Sequence, residues 1–398
     1  MNHKLNYNHT VYACYLGYIT QAVINNLAPL LFLIFQKEFS LSLSQITMIT
    51  SLNFALQLII DYLSAKFVDK IGYRKCLVFA HIFSVTGLWG LSIFPHVIPS
   101  SFAGIILAVL FYAVGGGLIE VLVSPVVESC PSENKASAMA LLHSFYCWGT
   151  VAVVFLSTMF LFAFGKEKWY FLPFIWSLIP LFNTFFFAKV PIQTLTEENQ
   201  GMSVKELFKN KLFWIFVLLM ICSGASEQAM SQWSSTFAEK SLSVSKVIGD
   251  LTGPCLFSVF MGISRLIYGK AGHKLNLLKF ISFSSVLCIA AYLLASLTKN
   301  AVFGLIGCTL CGFSVGIMWP GVFSTASGKM KNGGTALFAL LALAGDVGCS
   351  AGPFLVGMVS SASNQNLKTG LLAAVVFPVI ILITIIFNKN KLKWESKS

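Results

Sequence analysis

Apolar runs long enough to cross ~30 Å of hydrocarbon recur twelve times along the 398 residues. They fall at about 10–35, 45–66, 76–95, 101–127, 137–163, 170–190, 212–236, 248–268, 280–298, 302–328, 335–360 and 369–387. Each run predicts a helix, because a helix pairs its own backbone groups where no water can do so. One connection alone is long and polar, from Pro191 to Lys211 with TLTEENQGMS at its centre, and it divides six runs from six. The expected fold is therefore an all-α membrane protein of twelve transmembrane helices in two pseudo-symmetric six-helix bundles. Residues 1–190 form the first bundle, 191–211 a cytoplasmic central loop, and 212–398 the second bundle.

Composition closes off the alternatives. With 56% hydrophobic and 11% charged residues, and a mean hydropathy of +0.79, the chain falls far below the ~25% charge of a soluble domain. Lys and Arg number 27 against 15 Asp and Glu, a net +12. In a soluble protein that excess would suggest nucleic acid. Here 20 of the 27 cations fall on alternate connections and 7 on the others, which places both termini in the cytoplasm and excludes a nucleic-acid partner. Among the cations so counted is Arg265, read as lying at the cytoplasmic end of the eighth run.

Eight of the ten cysteines lie within apolar runs, and Cys76 and Cys130 lie at connections, so they read as buried thiols that pack as small hydrophobes. Cys308 and Cys311 spell CxxC in mid-helix with no partner nearby in sequence. The N-terminus is short and polar. The first run carries Gln21, Asn25 and Asn26 and lacks a small-residue cleavage site, so it reads as a retained helix.

The two halves echo each other. Gly72 is followed two positions later by Arg74, and Gly272 by Lys274, after the second and eighth runs. Gly117 stands eight residues before Pro125 in the fourth run, and Gly312 eight before Pro320 in the tenth. Together the two matches favour an internal duplication.

On these residues the chain resembles the major facilitator superfamily over essentially its whole length. The loop after the second run carries Ala65, Asp69, Lys70, Gly72, Arg74 and Lys75 in the places of that family's small-residue, Asp, basic, Gly, basic signature. Within the family, GGGLIEVLVSPVVE and LLHSFYCWG in the fourth and fifth runs look like the fucose permease group of sugar:proton symporters. That group places a proton-carrying acid in the fourth helix, where Glu120 stands. It also places an acid in the first helix, where this chain has only Gln21, Asn25 and Asn26. The Arg usual in the fourth helix of drug:proton antiporters is absent from this run.

Ionisable groups inside hydrocarbon cost at least ~2.5–3.5 kcal/mol each at a helix centre, so each calls for a reason. Asp61, Glu120, Glu227 and Asp346 fall well inside runs, and the sequence suggests no central Lys or Arg to balance them. Glu120, Glu227 and Asp346 are the expected proton-coupling groups, since a protonated acid is the cheaper form to bury. Gln21 and Asn25, four apart on the first run, form one polar stripe; Gln228 and Gln232 do the same on the seventh, beside Trp233. Amides next to aromatic planes suit a polyhydroxylated ligand. His143, Trp148 and Trp319 complete the expected substrate-binding set, against the ordinary alternative that each simply packs between helices.

Asp61, Asp69, Gly72, Arg74 and Glu128 are the expected gating residues. The resemblance implies that Asp69 caps the start of the eleventh helix near Gly333 and Gly334. Arg74 is expected to reach Glu128 or Asp61.

There is no phosphate loop, metal-binding HExxH, EF-hand or nucleophile elbow, and the connections are too short for an ATPase. The sequence reading is a secondary transporter, not an enzyme, with no cofactor and no metal. It moves a small polar solute, sugar-like by preference, with protons, by alternating access. Its partners are the solute, protons and the lipid bilayer; it is a monomer of the inner membrane. A proton-driven exporter of drugs or metabolites is the alternative within this architecture. A membrane-embedded sensor without transport is the alternative of another class.

Overall fold

The structure, a computed structural model, describes residues 5–195, 201–244, 251–364 and 366–392. The centre of the polar connection at 196–200 lies outside these residues, as do Lys4, Lys246, Lys393 and Lys397 of the charge count and positions 248–250 of the eighth run.

All twelve runs appear as helix. The first six are Tyr7–Glu38, Leu43–Ile71, Tyr73–Val97, Ser101–Ser129, Lys135–Phe164 and Phe171–Lys189. The seventh is Lys211–Leu242, and the eighth is Leu256–Ala271 preceded by a wide π turn at Leu251–Cys255. Leu277–Leu297 is the ninth and Gly334–Ala362 the eleventh. Eleven helices among the described residues are long and apolar enough to cross a membrane. The eighth, with 16 residues, is not among those eleven. These elements are called spans below, in chain order.

Helix starts are built from side-chain oxygens that accept from otherwise orphaned backbone N–H groups. Asn6, Ser42 and Ser203 each make a reciprocal capping box with the residue three positions on, namely His9, Gln45 and Glu206. The box at Ser203 nucleates a short helix, Val204–Lys209, ahead of the seventh span, inside what the sequence reads as loop.

Two spans are broken where the sequence predicted continuity. The tenth divides into Ala301–Val315 and Met318–Lys329, and the twelfth into Leu367–Ala373 and Val376–Phe387. Proline explains both. Pro320 and Pro378 have no N–H for the carbonyls of Gly316 and Ala374 four residues earlier, and the helix loosens at those carbonyls. The glycine echo also resolves into unlike conformations. Gly72 joins the second and third spans at φ 93°, a backbone that favours glycine, whereas Gly272 sits in a 3-10 turn at φ −62°.

Two compact units divide the chain. The first holds residues 1–131, 145–201 and 334–339; the second holds 132–144, 202–333 and 340–398. The border thus falls inside the fifth and eleventh spans.

In the first unit, the fourth span packs on the first, second and third. Small residues permit the close approach: a methyl group on Gly115 would stand 2.5 Å from the Ala80 carbonyl oxygen. Val23, Leu27, Leu31, Phe35, Ile105, Val109 and Trp169 fill the core of this unit. A buried polar clasp also crosses it. Asn183 donates to the Ala13 carbonyl at 3.0 Å and lies 2.8 Å from His81 Nε2, while His81 Nδ1 lies 2.7 Å from the Leu77 carbonyl. That pattern ties the first, third and sixth spans together. In the second unit, the tenth span packs on the seventh, eighth and ninth. The seventh and eleventh spans meet through Gly224, Ala225 and Gly352; a methyl group on Gly352 would stand 2.9 Å from Ala225 Cα.

Candidate functional site

Each unit carries a cluster of ionisable and amide side chains among its packed helices. In the first unit the cluster is a continuous chain of amides ending on a carboxylate. Gln21 Nε2 donates to Glu120 Oε2 at 2.8 Å and to Gln57 Oε1 at 2.9 Å. Gln57 Nε2 donates in turn to Asn25 Oδ1 at 3.0 Å, and Asn53 Nδ2 reaches the same oxygen at 3.1 Å. Gln21 and Gln57 are each only 1% exposed, so this network is a commitment of buried polar groups.

The local sequence makes room for it. A Cβ at Gly116 would stand 2.8 Å from Gln21 Oε1, so the glycine lets the amide lie flat on the fourth span one turn before Glu120. Asn25, Asn53 and Thr50 also line a small cleft with Pro29, Phe32 and Tyr112. Asn53 and Gln57 were not anticipated. They lie four apart on the second span, the same signal that singled out Gln21 and Asn25.

The second unit corrects the charge picture. Arg265, expected at a cytoplasmic connection, lies inside the eighth span and is buried. Its Nη2 approaches Glu227 Oε2 at 3.4 Å. Nε donates to the Gly316 carbonyl at 2.8 Å, and Nη1 to the His143 carbonyl at 3.0 Å. A cation does therefore sit among the buried acids. The Gly316 carbonyl is the one that Pro320 leaves without a helical donor, so the break in the tenth span and the seating of Arg265 have one cause.

His143 is buried with its ring 5.9 Å from that of Phe323, which in turn meets Trp319 edge-on at 6.2 Å. Trp319 is seated by Gly345, where a Cβ would stand 2.8 Å from its indole Cζ2, and Asp346 follows half-buried on the same span. On the seventh span Gln228 is half-buried and Gln232 exposed, while Trp233 donates its indole N–H to the Pro353 carbonyl at 3.0 Å. Trp148 is half-buried in the fifth span, in the first unit. Cys311 is a buried free thiol, as read from the sequence, and the Cys288 thiol of the ninth span lies 4.0 Å away.

Of the expected gating residues, Asp69, Gly72 and Arg74 lie at the junction of the second and third spans, within the first unit. Asp69 Oδ1 accepts from the Thr335 hydroxyl at 2.5 Å, at the start of the eleventh span, and Tyr73 bonds the same hydroxyl. Asp69 thus meets that helix through a side chain. Arg74 takes different partners from the carboxylates suggested by sequence. It donates to the carbonyls of Phe187 at 2.9 Å and Ala188 at 2.8 Å, capping the last turn of the sixth span. Asp61 and Glu128 are both buried, in the second and fourth spans.

Spanning helices whose interior holds acids, amides and an arginine define a multi-pass membrane protein with polar groups at membrane depth. Residues 14–353 match the family model of the Major Facilitator Superfamily, and the chain belongs to that family of membrane transporters. A search of curated proteins finds no match. Among solved structures, the chain is similar to the E. coli fucose:proton symporter, with a TM-score of 0.83 and 18% identity over 96% of this chain and 99% of that one. It is also similar to a proton:xylose symporter, with a TM-score of 0.82 and 11% identity over 96% and 95% of the two chains. The human organic anion transporter MFSD10 gives 0.74 and 13% over 95% and 99%. At these identities the likeness shows the shared fold.

Proposed function

We propose that this transporter is a secondary active symporter that moves a small polar solute, sugar-like in its hydroxyl groups, together with protons, by alternating access. The observation that carries the reading is Glu120 held by Gln21 at the end of the Gln57, Asn25 and Asn53 chain. Amides can donate and accept at once, so the chain can re-pair with solute hydroxyls without leaving a buried group unmet. The carboxylate at its end is a group whose bonding changes when it takes a proton. Similarity to two sugar:proton symporters supports the same reading.

In this reading Glu120, Glu227 and Asp346 are the proton-coupling candidates. Gln21, Asn25, Asn53, Gln57, His143, Trp148, Gln228, Gln232, Trp233 and Trp319 are candidates for solute contact. Asp69, Gly72 and Arg74, with Asp61 and Glu128, govern the gate. The protein works as a monomer in the inner membrane with both termini in the cytoplasm.

Uptake of radiolabelled sugars, sugar acids, amino acids and nucleosides into proteoliposomes, with an imposed inward proton gradient, tests the proposal. At least one solute should accumulate above its outside concentration, and a protonophore should abolish the excess. Accumulation that ignores the protonophore, or flux of apolar drugs outward alone, would overturn it.

A further inference from the structure

We infer that Arg265 is the anchor for a carboxylate on the transported solute, and that Glu227 is the protein group which that carboxylate replaces. The inference rests on the transport reading above and narrows its substrate to a small hydroxylated acid.

A guanidinium offers donors along three edges of a rigid plane. Two of these edges are fixed on backbone oxygens, Nε on Gly316 at 2.8 Å and Nη1 on His143 at 3.0 Å. Carbonyls orient the plane but carry no formal charge to balance it. The balancing charge faces Nη2, where Glu227 Oε2 stands at 3.4 Å. Charge-assisted N–H···O bonds ordinarily close to about 2.7–2.9 Å, so this contact is slack. The arginine side chain is 4% exposed and the glutamate 17%, which places the carboxylate at the open edge of the pair.

A buried pair with slack geometry recovers its desolvation cost poorly. Two backbone braces that aim an arginine at a loosely held acid make physical sense when the acid is exchangeable. The buried or half-buried titratable groups on the spans around the pair include His143 on the fifth, Cys222 on the seventh, Tyr268 on the eighth itself, Cys288 and Tyr292 on the ninth, Cys308 and Cys311 on the tenth, and Asp346 and Cys349 on the eleventh. Tyr292 spends its hydroxyl on the Ser226 carbonyl at 2.8 Å, and Cys349 faces the seventh span at Gly224.

The exchange balances in charge. A solute carboxylate arrives at Nη2 as Glu227 accepts one proton from the water on that side and swings off the arginine. Two carboxylates on a single guanidinium would otherwise leave one uncompensated negative charge. Solute anion and proton then travel as a neutral sum. Gln228, next in the chain to Glu227, is half-buried and supplies an amide for hydroxyl groups.

Binding to the purified full-length protein, followed by tryptophan fluorescence at pH 5.5 and pH 8, tests the inference. The probes are D-glucuronate, D-gluconate and lactate against D-glucose. The wild type should bind at least one acid tenfold or more tightly than glucose, and more tightly at the lower pH. Arg265→Gln should weaken the acid by about 100-fold or more, the usual range for removing one member of a buried charge pair. Arg265→Lys keeps the charge in case the Gln variant folds poorly, and should restore part of the acid preference. Glu227→Gln, which imitates the protonated acid, should bind the acid equally at both pH values.

Binding of none of the acids, or an acid preference that survives Arg265→Gln, overturns the inference. Proton-driven accumulation of neutral sugars alone also overturns it, while leaving the symport reading intact. Acid binding that depends on Arg265, in a protein that accumulates nothing, would instead count against symport.

Discussion

Replacing Glu120 by Gln separates the folding role of this group from its coupling role. In the native chain Gln21 Nε2 is shared between Glu120 Oε2 at 2.8 Å and Gln57 Oε1 at 2.9 Å. A glutamine at 120 keeps an oxygen in the same place, so the network stays closed. What is lost is the difference between a hydrogen bond to a charged acceptor and one to a neutral acceptor, about 1 kcal/mol. The variant should therefore fold and reach the membrane at near-native levels. Gln21→Ala is the contrast, since it strips a donor from the buried Gln57 oxygen, at about 1–3 kcal/mol, and from the half-buried Glu120 carboxylate as well. Coupling should respond in the opposite order. One proton per solute concentrates the solute about tenfold per pH unit, since each unit is worth about 1.4 kcal/mol. Under a gradient of about two units the proton carried on Glu120 is thus worth roughly 100-fold, so accumulation should fall by about that factor in Glu120→Gln, while exchange of labelled for unlabelled solute continues. Proteoliposome accumulation and counterflow, measured side by side, give both numbers. A Glu120→Gln protein that accumulates solute as far as the native chain does refutes the assignment of a proton to this carboxyl.

Thr335→Val removes the hydroxyl that binds both Asp69 and Tyr73. The charged bond alone is worth about 1.5–3 kcal/mol, so the start of the eleventh span should open about 10- to 100-fold more often; alkylation of buried Cys76, located by mass spectrometry, should quicken accordingly. Gly72→Ala meets no steric obstacle, because nothing lies within 4 Å of the new methyl group, yet φ stays at 93°. Its cost is backbone strain alone, about 1–3 kcal/mol, visible as a lower melting temperature; an unchanged melting temperature would show that the junction relaxes. At Glu206 the carboxyl is held below its ordinary range by hydrogen bonds from the Ser203 backbone and hydroxyl. A depressed acid stabilises the helix above its unfolded pKa and loses that contribution as pH falls through the folded value. Amide exchange in Val204–Lys209 should therefore accelerate, relative to Glu206→Gln, on acidification below the ordinary carboxylate range.

Much of the fold was legible because lipid makes a demand that sequence must answer residue by residue. A span needs about twenty apolar positions whatever its neighbours are, and twelve such runs could be found without knowing any contact. The breaks were harder. Pro320 and Pro378 lie in apolar runs like the one around Pro125, where the helix stays intact, and only the packing decides whether the proline kinks the helix or parts it. Polar residues in apolar runs were legible as exceptions, which is how Gln21, Asn25, Glu120 and Glu227 came forward. Asn53 and Gln57 carried the same four-residue signal and were missed. The pairing of Gln57 with Gln21 is tertiary and leaves no mark on either run.

Arg265 shows where reading by sum and reading by residue part. It stands six residues before the end of its helix at Ala271, among basic neighbours, so its sequence position resembles a loop cation. A helical side chain, however, slants toward the N-terminus of its own helix, which carries a long guanidinium back into the bundle. Moving it out of the connection count changes 20 against 7 to 19 against 7, and the charge asymmetry survives. Orientation is a sum over many cations and tolerates one error; a site is a single placement and does not. The clue that could have placed it was in the tenth run. A proline four residues after Gly316 announces a buried carbonyl without a donor, and the satisfaction of buried polar groups requires some side chain to answer. Arg265 is the donor that does so.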